Sequence, residues 1–106
     1  MEKFDVLATK LEPLGIRKSN LFGMTVLKLG KRPVCGLEAD GIMFKLDPET
    51  EFYAAVRSMD GVRLFAPTMK NGRSVTMRNW VVVPFAYADR YMDLAQESIR
   101  LVAEKS

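Results

Sequence analysis

Hydrophobic positions follow two different rhythms along this chain. Phe4, Leu7, Ala8 and Leu11 recur at i, i+3, i+4 and i+7, which places them on one helical face, and Pro13 with Gly15 marks its end. From Leu21 the rhythm shortens. Residues 21–29 and 34–39 are short apolar or β-branched runs joined by Gly30-Lys31-Arg32-Pro33, a link of hairpin length. They predict two antiparallel strands. Asp40-Gly41 then signals a tight turn, and Ile42, Phe44 and Leu46 alternate with Met43 and Lys45 to predict a third strand.

A second helix is expected from Asp47, which caps free N–H groups, Pro48, which suits the first turn, and Glu49, which favours the positive end of the dipole. Phe52, Ala55, Val56 and Met59 form its buried stripe, and Gly61 closes it. Residues 62–66 predict another strand, 67–73 a polar loop with an Asn-Gly turn, and 75–83 the strongest strand of all. Trp80-Val81-Val82-Val83 is apolar on both faces of the pleat, which implies a central strand covered on both sides or a twist near Arg78-Asn79. A third helix is expected over 89–105, with Tyr91, Leu94, Ala95, Ser98 and Val102 on one side. The order is helix, three strands, helix, two strands, helix. Segregated helices on a mostly antiparallel sheet make a two-layer α+β fold, and residues 1–106 read as a single domain.

Composition narrows the chemistry. The 106 residues include no histidine and one cysteine. The commonest general base and catalytic metal ligand is therefore missing, and with it the usual partner of a serine or cysteine nucleophile. Cys35 alone permits no intrachain disulfide, and without a base beside it a buried core role is expected. Carboxylates are plentiful, but no loop has the spacing of a calcium or phosphate site. The expectation is no catalytic residue, no metal and no cofactor. The N-terminal segment has neither a signal-peptide core nor a membrane span, so a cytoplasmic protein without membrane contact is expected.

The formal charge of +3 hides an uneven layout. Residues 13–37 hold Arg17, Lys18, Lys28, Lys31 and Arg32 with no acid, and 61–88 hold Arg63, Lys70, Arg73 and Arg78, again with none. Between them, Glu38, Asp40, Asp47, Glu49, Glu51 and Asp60 face only Lys45 and Arg57. If the two basic windows pair as neighbours, one surface is basic and another acidic.

With the elements placed, several residues become familiar. Phe22-Gly23-Met24 at a first strand, Gly30-Lys31 in the next turn, Phe44-Lys45-Leu46-Asp47 running into a helix, and Gly72-Arg73, Met77, Trp80 and Val82-Val83-Pro84 before a last helix resemble the N-terminal domain of TfoX (Sxy) competence regulators. The similarity runs from Arg17 to about Val102. It implies a fold similar to that of the secretion chaperones and regulation in place of catalysis; for a module of this type, a protein partner or a homodimer is expected. Family members commonly carry Phe-Gly-Gly where this chain has Phe22-Gly23-Met24. Longer members add a C-terminal helical domain, so a single-domain member is expected.

Four residues stand out as interaction candidates. Lys45 lies on the polar side of the third strand, where it would bind an anion or pair with a neighbouring acid. Arg73, Arg78 and Trp80 bring guanidinium groups near an aromatic, which suits a protein hot spot or nucleic-acid stacking, whereas a Trp80 that opens a valine run also suits a core or dimer interface. The seven methionines fill a core or line an adaptable groove. The expected function is a non-enzymatic protein-interaction or regulatory module. Two alternatives stand beside it: a nucleic-acid-binding module using windows 17–32 and 63–78, and a small-ligand binder or enzyme using Lys45 and an acid.

Overall fold

The computed structural model describes residues 2–21 and 23–104. Phe22 of the resemblance and Lys105 of the expected third helix lie outside the described residues. The chain runs through α1 (Glu2–Leu11), β1 (Ile16–Leu21), β2 (Met24–Leu29), β3 (Arg32–Glu38), β4 (Gly41–Lys45), α2 (Glu51–Arg57), β5 (Arg63–Phe65), β6 (Met77–Pro84) and α3 (Tyr91–Glu104). The six strands form one antiparallel sheet in the order β1-β2-β3-β4-β6-β5. This is the expected α+β arrangement, with one strand more than the hydrophobic pattern predicted. That strand is β1, Ile-Arg-Lys-Ser-Asn-Leu, whose polar side chains carry no apolar alternation. It lies at a sheet edge, where charged side chains discourage pairing with another chain.

All three helices pack on one face of the sheet. Phe4, Leu7 and Leu11 of α1 and Tyr91, Leu94, Ala95 and Val102 of α3 meet Leu27, Cys35, Ile42, Phe44, Val81 and Val83 in the main core. Tyr91 anchors this layer: its ring centroid is 5.4 Å from that of Phe44, and its hydroxyl donates to the carbonyls of Val83 and Pro84. Ser98, fully buried within α3, donates to the carbonyl of Leu94, so its hydroxyl is satisfied inside the apolar layer.

Local chemistry sets the junctions. A short 3-10 turn at Glu12–Leu14 ends on Gly15 at φ +87°, a left-handed position that suits glycine. The second helix starts later than its Asp47-Pro48-Glu49 signal implied. Asp47 Oδ1 accepts from the Glu49 N–H to make a turn, and Thr50 is the cap, its Oγ1 accepting from the Tyr53 N–H. A second 3-10 stretch, Phe85–Arg90, precedes α3, so that helix begins at Tyr91 and not at Asp89. Gly41 opens β4 where a Cβ would meet the Val83 carbonyl oxygen at 2.3 Å. Only a glycine lets β4 and β6 approach so closely there.

Candidate interaction face

On the sheet face away from the helices, side chains of the alternate register build a second, smaller cluster. Met43 of β4 and Trp80 and Val82 of β6 are buried, and Met24 and Phe65 pack against them. Trp80 is 8% exposed. Gly36, the cross-strand partner of Met43, leaves the room that the Met43 side chain fills, since a Cβ there would lie 2.4 Å from the methionine Cε. The double-sided apolar character of residues 80–83 is thus explained. Val81 and Val83 face the helices, while Trp80 and Val82 face this cluster.

Lys45 and Trp80 are register partners on β4 and β6, and the Lys45 Nζ stands 5.9 Å from the centroid of the Trp80 ring. The lysine therefore caps an aromatic face in place of pairing with an acid. Ion pairs among the described residues are Lys18–Asp5, Arg63 with Glu38 and Asp40, and Arg100 with Glu97 and Glu104. Arg78 is two residues from Trp80 on β6, and its side chain is exposed. Its carbonyl accepts from the Tyr53 hydroxyl at 2.8 Å, which ties α2 to this strand. Three of the four expected residues, Lys45, Arg78 and Trp80, thus share one region, and Arg73 lies away from it, opposite Met69.

Arg73 belongs to an element that the sequence had suggested was a polar loop. Phe65 pairs with Met77, the Val75 N–H donates to the Pro67 carbonyl, Thr68 bridges Ser74, and the Met69 N–H donates to the Arg73 carbonyl. These contacts continue a single register. Residues 65–77 are consequently a two-stranded arm, closed at Met69-Lys70-Asn71-Gly72 by a bond from the Gly72 N–H to the Met69 carbonyl, with Gly72 at φ +83°. Every residue from 68 to 79 is exposed. The arm departs from the sheet where the β5–β6 register jumps: Leu64 pairs with Val81 and Phe65 with Met77, leaving Arg78, Asn79 and Trp80 without partners on β5. The expected irregularity near Arg78-Asn79 is this bulge.

Directly opposed residues share a face, and faces alternate. Phe65, Pro67, Met69, Arg73, Val75 and Met77 therefore lie on one side of the arm, while Ala66, Thr68, Ser74 and Thr76 lie on the other. The first side is apolar and open: Met69 is 51% exposed, Val75 46% and Met77 39%. Phe65 joins it to the Trp80 cluster. From sequence, Met77 entered through the resemblance, and Met69 and Met77 only among the methionines expected to fill a core or line a groove, although the period-two pattern in Phe-Ala-Pro-Thr-Met and Ser-Val-Thr-Met carried the signal for the whole row.

The remaining chemistry is dispersed. The two basic windows do not become neighbours, because β4 separates β3 from β6. Arg63, at the edge of the sheet, donates to Asp40 and Glu38, and this neighbouring guanidinium holds the Asp40 carboxyl below its usual range. Burial pushes the Cys35 thiol far up, so it resists becoming a thiolate. A groove of about 130 Å³ between α1 and α3, bordered by Leu7, Lys10, Tyr91 and Met92, has its tyrosine hydroxyl committed to backbone carbonyls. Among the described residues no group of three His, Cys, Asp or Glu side chains is placed to hold a metal, and no helix is long and apolar enough to cross a membrane. Compared with known proteins, the chain matches no protein-family model, no curated protein and no solved structure.

Proposed function

We propose that this protein is a non-enzymatic interaction module that binds a protein partner through the helix-free face around Lys45, Arg78 and Trp80, a regulatory character being what its resemblance to the TfoX N-terminal domain implies. The observation that carries the reading is the division of the sheet. One face is filled by three helices, whereas the other holds a small apolar cluster beside exposed cations and leads directly into a projecting arm. Apolar centres rimmed by charge suit protein contacts. Base stacking is served less well, because Trp80 is nearly closed to solvent and Lys45 sits over its ring. A cytoplasmic setting fits the single reduced cysteine, and regulation in place of catalysis fits the inert Cys35.

The test is affinity capture from a lysate of the source cell with nuclease added, followed by mass spectrometry and repeated with Arg78→Glu. One protein recovered in near-equal amount with the bait and lost from the variant is the expected result. Recovery of the bait alone, at the size of a dimer, rejects a separate partner in favour of self-association.

A further inference from the structure

We infer that the arm formed by residues 65–77 is the docking element of this module and that it takes an acidic segment of a partner protein bearing apolar side chains. The inference rests on the interaction reading above and adds the chemistry of the partner. Three observations define what fits. One side of the arm is a row of half-buried Pro67 and exposed Met69, Val75 and Met77, an open apolar strip on a hairpin whose opposite side is small and polar. Methionines in such a row accommodate side chains of different shape. The arm's own charge is of one sign, with Arg73 opposite Met69, Lys70 at the tip, Arg78 at the base, and no acid anywhere in residues 61–88.

A partner that covers this surface needs apolar groups for the row and carboxylates for its cationic end. A second copy of the chain presenting its own arm would bring Lys70 and Arg73 against the same cations. Nucleic acid would satisfy the cations but leave the methionine row uncovered, and the aromatic rings of this region are turned inward, with Trp80 and Phe65 in their own cluster. The acidic, apolar protein segment is the occupant that satisfies both halves.

The experiment uses the full chain labelled with ¹⁵N and four probes. These are a synthetic acidic peptide bearing Leu and Phe, the same peptide with lysine for each acid, the same peptide with serine for each Leu and Phe, and a duplex DNA oligonucleotide. The expected result is that the acidic apolar peptide alone shifts the backbone amides of residues 65–77. The variant Met69→Ser/Val75→Ser/Met77→Ser weakens it by about tenfold or more, since truncating an interface centre typically has effects of that size. Its melting temperature stays unchanged because these side chains are exposed in the free protein.

Absence of binding, shifts confined to other elements, or equal binding of the serine peptide overturns the inference. DNA shifting the same amides more strongly assigns the arm to nucleic acid instead, and arm shifts that depend on protein concentration assign it to a second copy. If the partner captured from lysate is retained by the triple variant, the arm is excluded while the interaction reading stands.

Discussion

Arg63 donates from Nε and Nη2 to the two carboxylate oxygens of Asp40, at 3.1 and 2.8 Å, although β6 lies between the edge strand of the arginine and the turn that holds the aspartate. The same guanidinium reaches Glu38 at 3.3 Å. One side chain thus ties the last strand of the sheet to the β3–β4 turn.

The pH dependence of that tie follows from its sign. Asp40 is held below the ordinary aspartate value of 3.8, so its contribution is present above that value and is lost as the pH falls through the lower folded one. Both partners are well exposed, which limits the contribution to under about 1 kcal/mol. Carboxyl NMR titration should show Asp40 protonating below 3.8 in the native protein and close to it in Arg63→Ala. An unchanged Asp40 midpoint in the variant contradicts this role for Arg63.

Trp80 and Lys45 are predicted to separate cleanly by mutation. Trp80→Ala empties the centre of the smaller cluster and should cost about 3 kcal/mol or more in chemical denaturation, in line with other buried aromatic truncations. Lys45→Ala removes only a half-exposed cation from a ring face and should cost less than about 1 kcal/mol. A large loss with Lys45→Ala would mark the lysine as a structural support instead.

Two glycines with tight surroundings should behave differently. At Gly41 a new Cβ meets backbone, the Val83 carbonyl, which cannot move without opening the β4–β6 ladder. Gly41→Ala is expected to destabilise by about 2–3 kcal/mol, the upper end of what overpacking costs. At Gly36 the obstruction is the flexible end of Met43, so Gly36→Ala should cost clearly less and displace the methionine towards Trp80. Comparable losses at both positions would show that Met43 is not free to yield.

Cys35 provides a probe of opening. Its thiol is fully buried in the main core and its ionisation is suppressed, so a thiol reagent should label the native chain only as fast as that core opens. Immediate modification of the folded protein would contradict its placement between Leu27 and Phe44.

Most of the helix-facing layer was legible in sequence because burial on one side imposes a period. Phe4, Leu7 and Leu11, and again Tyr91, Leu94, Ser98 and Val102, lie where their spacing put them. β1 escaped notice for the opposite reason. At a sheet edge Arg17, Lys18, Ser19 and Asn20 remain in contact with water, and Lys18 lies beside Phe4 and Asp5 where an apolar residue would have given the pattern away.

The candidate face was only partly visible. Lys45, Arg78 and Trp80 could be named individually, but the contact of Lys45 with Trp80 depends on the β4–β6 register, which here pairs residues 35 apart in the chain. Pro67 and the glycine turn made the arm resemble a loop, since proline in a predicted strand argues against one. The structure accommodates it in the arm with half of a bonded pair: its carbonyl accepts from the Val75 N–H, and the reciprocal bond that an N–H at position 67 would make is not formed.

The insertion of β6 between β4 and β5 also orders events in time. During synthesis the first four strands emerge as successive local hairpins, whereas the open side of β4 waits for a strand that lies beyond α2, β5 and the arm. Joining Ile42 to Val83 closes the longest loop in the sheet, and such closures are slow. Until residue 84 has left the ribosome, the nascent chain carries Ile42 and Phe44 on an unpaired strand, and this interval is when it most needs protection from its neighbours.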